Sequence, residues 1–107
     1  MGGHMYYLYL LRCQGDTLYA GITTELDRRI KQHRGELAGG AKYTAAHPPT
    51  ELAAAWAVAD RAAASRLEWA VKRLPRSKKE ELIARPEQLG IRYPEIKSTP
   101  VCLEKPD

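Results

Sequence analysis

The stretch Tyr6-Tyr7-Leu8-Tyr9-Leu10-Leu11-Arg12-Cys13-Gln14-Gly15-Asp16-Thr17-Leu18-Tyr19-Ala20-Gly21-Ile22-Thr23 decides the fold. Its first half is rich in aromatic and aliphatic residues, Cys13-Gln14-Gly15-Asp16 carries turn chemistry, and Leu18–Thr23 resumes the apolar-polar alternation. Together they predict a β-hairpin. Downstream, Thr23 or Thr24 can cap a helix over 25–36. Glu25 and Asp27 would sit in its first turn, where the positive helix end favours them, and Leu26, Ile30 and Leu37 would share one apolar stripe.

From Gly39 through His47-Pro48-Pro49 the glycines and prolines break any period and predict a surface loop. Glu51–Ala59 mixes helix-favouring alanines with Leu52, Trp56 and Val58, and it is read as a strand covered by helices. Asp60 caps the next helix, in which Ala63, Ala64, Leu67, Ala70, Val71 and Leu74 follow helical spacing until Pro75. Ser77–Arg85 reads as one more short helix. The tail after Pro86 carries three further prolines and no apolar period, so it is expected to be an irregular extension. The order β-β-α-β-α-α defines an α/β (α+β) domain at residues 6–85, with a small three-stranded mixed or antiparallel sheet flanked by helices. Residues 86–107 form the extension. Met1-Gly2-Gly3-His4 reads as an expression remnant ahead of a natural start at Met5.

A chain of 107 residues supports one small core and no second catalytic domain. The longest apolar runs, Met5–Leu11 and Leu52–Val58, fall far short of the roughly 20 residues that cross a bilayer, so no membrane association is expected. No secretory signal is legible, which makes the cytoplasm the expected compartment. Cys13 and Cys102 form no CxxC pair and read as free thiols. The net charge of +4 is unevenly spread: residues 61–85 hold eight basic side chains against three acidic ones. Such a cluster is either the footprint of a polyanion or a solvated helix face.

Three features then stand in order: two tyrosine-bearing strands, an Arg and a His one turn apart on the following helix, and a lone Glu on the last long helix. The tripeptides Tyr7-Leu8-Tyr9 and Tyr19-Ala20-Gly21 are followed by Asp27-Arg28-Arg29-Ile30-Lys31-Gln32-His33, with ten residues from Tyr19 to Arg29 and fourteen to His33. Gly39-Gly40-Ala41-Lys42-Tyr43-Thr44 and Arg66-Leu67-Glu68-Trp69-Ala70-Val71-Lys72 continue the series. Over about residues 6–85 the chain resembles the GIY-YIG nuclease family, in particular small stand-alone bacterial members and the nuclease module of structure-specific endonucleases.

The resemblance implies a metal-dependent endonuclease acting on DNA phosphodiester bonds, selective for structure rather than sequence, in repair or recombination. It assigns Tyr9, Tyr19, Arg29, His33 and Glu68 as the catalytic set, with Glu68 as ligand to one divalent ion, Mg²⁺ or Mn²⁺. The chemistry is coherent. A phosphodiester needs a cation at the phosphate, a base for water and a metal for the oxyanion. Arg29 offers a bidentate, permanently charged fork, and Glu68 offers hard oxygens. Simpler roles exist for each: a surface Glu68–Lys72 pair, an Arg29–Glu25 pair, tyrosines that only pack.

Arg28, Lys42, Tyr43, Thr44, Arg66, Lys72 and Arg73 are the candidate nucleic-acid contacts. Gly21 would let a phosphate or another backbone approach closely. Two departures from the family pattern stand out. Arg34 follows the helix histidine where many members have asparagine, which bears on hydrogen bonding around the site and hence on activity. The first tripeptide lacks its glycine, which bears on packing. The competing expectation is a non-catalytic nucleic-acid-binding module on the same scaffold. A monomer is favoured, and sequence-selective cutting would require a partner protein.

Overall fold

The structure is a computed structural model that describes residues 5–103. The hairpin forms as β1 (Tyr6–Cys13) and β2 (Thr17–Thr23), antiparallel, with Tyr9 opposite Gly21 and Leu11 opposite Tyr19. Gly15 and Asp16 turn the chain with φ of +82° and +57°, a region that glycine enters freely and aspartate tolerates. After α1 (Leu26–His33) and α2 (Lys42–Ala46), β3 (Pro49–Val58) pairs with the other side of β1. Helices α3 (Arg61–Lys72), α4 (Arg76–Ala84) and α5 (Gln88–Arg92) follow, and β4 (Ser98–Pro100) closes the series. The sheet is antiparallel throughout, in the order β2-β1-β3-β4.

Strand alternation divides the core between the two faces of the sheet. Leu8, Leu10, Ala20, Ala54, Trp56 and Val58 pack against Ala63, Ala64, Leu67 and Val71 of α3 and against Leu82, Leu89 and Ile96. Tyr9, Leu11, Cys13 and Ala55 meet Ile30 of α1, with Tyr19 and Tyr43 at the margin. A bulge at Ala53, where the β1–β3 register shifts between Leu10 and Leu11, turns Leu52 to the Ile30 face.

Several expectations change. The sheet has four strands rather than three, because residues 87–103 after Pro86 supply α5 and β4. Leu89 and Ile96 are buried in the larger core, and the Trp56 indole Nε1–H donates to the Pro86 carbonyl at 2.7 Å. Helix α1 ends at His33, short of 36. Arg34 and Gly35 (φ +81°) close it with a Schellman pair of bonds, Gly35 N–H to Gln32 O and Glu36 N–H to Lys31 O, which leaves Leu37 exposed and off the stripe. Its N-cap residue is Glu25 without a side-chain cap bond; Thr23 Oγ1 instead accepts from the Glu25 N–H at 3.1 Å. The expected loop contains α2. Asp60 caps α3 as anticipated, accepting from Ala63 N–H at 2.8 Å. Met1–His4, read as an added leader, lie outside the described residues.

The hairpin turn is pinned to α4 by charge. Arg12 donates to both carboxylate oxygens of Glu80, at 2.8 and 2.6 Å, and Arg76 bridges Glu80 and Asp16. Beside Arg12, and with Arg76 assisting, the Glu80 carboxyl titrates at about 2.

Candidate active site

The site is built on the Tyr9 face of the hairpin and reaches round its β2 edge. Because Tyr9 pairs with Gly21, the Tyr9 ring lies over a position without a side chain. A Cβ on Gly21 would come within 2.6 Å of Tyr9 Cζ and overlap the hydroxyl. The close approach expected at Gly21 is therefore made by a neighbouring tyrosine. Tyr19, two residues before Gly21, projects from the same face beside Tyr9.

Helix α1 brings His33 onto both rings, with centroids 5.7 Å from Tyr9 and 5.1 Å from Tyr19 in edge-on packing. The His33 side chain is fully engaged. Its Nε2 lies 2.8 Å from the Tyr9 hydroxyl and its Nδ1 lies 2.8 Å from Thr44 Oγ1. The Thr44 hydroxyl donates to the Ala41 carbonyl at 3.1 Å, so its oxygen accepts from Nδ1–H. Nε2 then accepts from Tyr9, and the bonds run in one direction from Tyr9 through His33 and Thr44 to the backbone.

Burial governs the charge states along this chain. It pushes His33 down to about 4, with the Arg29 guanidinium adding to the shift. It pushes Tyr9 up to about 12, against the opposing pull of Arg29 and with Tyr19 and Glu68 adding to it. At neutral pH both groups are uncharged, and His33 keeps a lone pair toward the phenol.

Arg29 lies one turn before His33 and is half-buried. Its Nη1 donates to Gln32 Oε1 and to the Gly39 carbonyl, both at 2.8 Å. The Arg29–Glu25 pair does not form; Arg28, exposed on the outer side of α1, approaches Glu25 at 3.6 Å. Helix α3 covers the opposite sheet face, yet its Lys72 ammonium lies 6.0 Å from the Tyr19 ring centroid. Since β2 is an edge strand, Glu68 and Lys72 reach the tyrosines around that edge. Glu68 is 25% exposed at the side chain and meets Lys72 at 3.4 Å. That i, i+4 contact, weak between partly hydrated groups, leaves the carboxylate accessible.

Tyr9, Tyr19, Arg29, His33 and Glu68 thus converge, as does Lys72. Tyr43 stacks between Tyr19 and His47, at 5.6 and 4.6 Å between centroids. Thr44, expected to face nucleic acid, is 1% exposed and devoted to His33. Lys42, Arg66 and Arg73 are exposed, and Arg28 faces away with Glu25. Sequence reasoning missed Gln32, although its i, i+3 spacing from Arg29 is a signal. It missed the Gly39 carbonyl, for which the sequence holds none. It also missed Trp69, which is 63% exposed, with the Arg73 guanidinium 4.4 Å from its ring centroid.

For a divalent cation the fit is that of a loosely held ion. Among the described residues no group of three or more His, Cys, Asp and Glu converges, so Glu68 would be the lone protein ligand. An accessible carboxylate suits Mg²⁺ or Mn²⁺, which retain water and take up substrate phosphate oxygens.

A tyrosine pair, a helix Arg–His and a carboxylate come together on a small antiparallel sheet, and similarity to known proteins gives the domain's class as nuclease-type. The family model described as the GIY-YIG catalytic domain matches residues 5–81, and the chain belongs to that family of endonucleases. Among individual proteins it is 51% identical over 75 residues to a UPF0213 protein of Xanthomonas axonopodis pv. citri, covering 69% of this chain and 71% of that one. It is 44% identical over 79 residues to a UPF0213 protein of Halalkalibacterium halodurans, covering 74% and 82%. A solution NMR structure of a UPF0213 protein from Bacillus halodurans shares 44% identity over 75% of this chain and 83% of that one, with a TM-score of 0.48.

Proposed function

We propose that this protein is an endonuclease that hydrolyses DNA phosphodiester bonds, selecting its substrate by structure, with one Mg²⁺ or Mn²⁺ ion associated with Glu68. The observation that carries the proposal is the buried Tyr9–His33–Thr44 chain beside Arg29, with Glu68 accessible at the same edge. A cation there would draw off negative charge from the phosphate and the leaving oxygen.

The protein's own groups divide the remaining work. Arg29, its guanidinium aimed by Gln32 and the Gly39 carbonyl, clamps a non-bridging phosphate oxygen. Tyr19 is the phenol that meets solvent: it is half-buried, and its hydroxyl makes no hydrogen bond to a described residue. With the Lys72 ammonium 6.0 Å from its ring centroid and its hydroxyl toward solvent, Tyr19 assists deprotonation of the attacking water. Tyr9 is 1% exposed and resists ionisation, so it holds His33 and the edge of the site in register. Thr44 is a positioning residue that fixes the His33 tautomer.

A pure binding module would need only the exposed Lys and Arg residues. It would gain nothing from burying a histidine, a threonine and a tyrosine hydroxyl that must all find partners. The basic residues Lys42, Arg66, Lys72 and Arg73 give sequence-independent, salt-sensitive contact with flanking phosphates. The setting consistent with this activity is cytoplasmic DNA repair or recombination by a monomer, with a protein partner where sequence selectivity is needed.

The test incubates the protein with labelled single-stranded, duplex, flap and four-way-junction DNA in EDTA, Mg²⁺ or Mn²⁺, beside Glu68→Ala. Metal-dependent cutting that vanishes in the variant supports the enzyme. Equal trace cutting by both proteins, with salt-sensitive binding retained, would assign the scaffold to binding alone.

A further inference from the structure

The two tryptophans of this chain have opposite surroundings. Trp56 is fully buried and its indole N–H is satisfied by Pro86. Trp69 stands 63% exposed on α3, immediately after Glu68. A large aromatic surface left in water forgoes the burial that stabilises most tryptophans, so its position asks for an occupant. The Arg73 guanidinium covers one face of the ring, which leaves the other open. Arg66, Trp69 and Arg73 fall at i, i+3 and i+7 on one exposed stripe, and the adjoining stripe carries Glu68 and Lys72.

We infer that Trp69 is a stacking platform for an unpaired nucleobase, so that the preferred substrate carries single-stranded nucleotides beside the bond to be cut. The inference rests on the nuclease reading above and specifies its substrate class. Charge selects nucleic acid as the occupant: Arg66 and Arg73 flank the ring as phosphate partners would, and the stripe carries no acidic residue. Shape selects the unpaired state. In a duplex the base faces are consumed by stacking and only their edges reach the grooves, whereas a planar indole on a convex helix can match only an exposed base face. Because Trp69 adjoins Glu68 in sequence, a base seated there places its own strand across the carboxylate.

The test is performed in EDTA, where turnover plays no part. Tryptophan emission is followed while a thymidine homo-oligomer or a blunt duplex is added, and end-labelled oligomer anisotropy gives affinities for variants lacking the indole. With Trp56 buried, quenching reads Trp69. The expected result is quenching by the single strand, an affinity for it about tenfold weaker in Trp69→Ala, a smaller loss in Trp69→Phe, and unchanged duplex affinity. No quenching, equal losses on both DNAs, or no loss at all would overturn the inference. So would concentration-dependent self-association abolished by Trp69→Ala without any effect on single strands, which would make a second copy the occupant. Glu68→Gln is assayed in parallel. If the nuclease reading alone fails, neither protein cleaves while the single-strand preference of Trp69 persists.

Discussion

The inner and outer halves of the site obey different physics. In the Tyr9–His33–Thr44 chain every side-chain polar group is buried and partnered, His33 and Tyr9 are held uncharged, and a glycine makes room for a phenol ring. Along α3 the groups are more open to solvent: half-buried Glu68 pairs loosely with Lys72, Arg73 rests on Trp69, and Arg66 is exposed. The inner half fixes geometry at a cost in folding stability, and the outer half, in the function proposed, would meet substrate at almost none. Mutations in the two halves should therefore separate stability from activity.

The sharpest separation is expected at Glu68. Glu68→Gln should lower metal-dependent turnover by about a thousandfold, the scale of removing one charge stabiliser from a phosphoryl site. It should leave the unfolding free energy within about 0.5 kcal/mol, because the half-buried carboxylate makes only the weak Lys72 pair. Cleavage assays alongside thermal melts measure both; a large loss of stability would break the division.

Next in size is the response to acid. Unfolded His33 takes up its proton near 6.5, but in the fold only near 4. Its contribution to stability is complete above pH 6.5 and is lost as pH falls toward 4, about 3 kcal/mol in all. Denaturant midpoints across that window should fall in the wild type and stay flat on this limb in His33→Gln. The Glu80 cluster acts in a separate, lower window, losing its contribution as pH drops from 4.5 toward 2.

Smaller again, Gly21→Ala should cost about 2 kcal/mol, because the added methyl overlaps the Tyr9 ring and the strand must shift to admit it. Urea unfolding tests this; a neutral result would mean that Tyr9 is not held as tightly as its burial indicates. The smallest effect is expected at Arg66. Arg66→Ala should leave the fold intact and reduce the slope of log affinity against log salt by about 1, since one fewer phosphate is neutralised. An unchanged slope would remove Arg66 from the outer surface.

Much of this architecture was legible in the chain. The Tyr6–Thr23 hairpin, the Asp60 cap and the α3 periodicity are local patterns, and local patterns survive into the fold. The members of the site could also be named, since Tyr9, Tyr19, Arg29, His33 and Glu68 keep the spacing of a known family. Helix α5 and β4 could not be read, because five and three residues are too few to show a period and prolines surround them. Their order comes from Leu89 and Ile96 finding a core assembled by distant strands.

The sequence by itself determined which residue types the site contains and the order in which the chain supplies them. Only the tertiary structure decided their surroundings. It buried Thr44 against His33 and so turned an expected surface contact into a support. It set Tyr9 in the dry interior and Tyr19 at the edge. It brought Lys72 and Glu68 around β2 from the far face, and it left Trp69 uncovered. Burial and hydrogen-bond direction depend on what lies across the sheet, and that is a property of packing which no local spacing encodes.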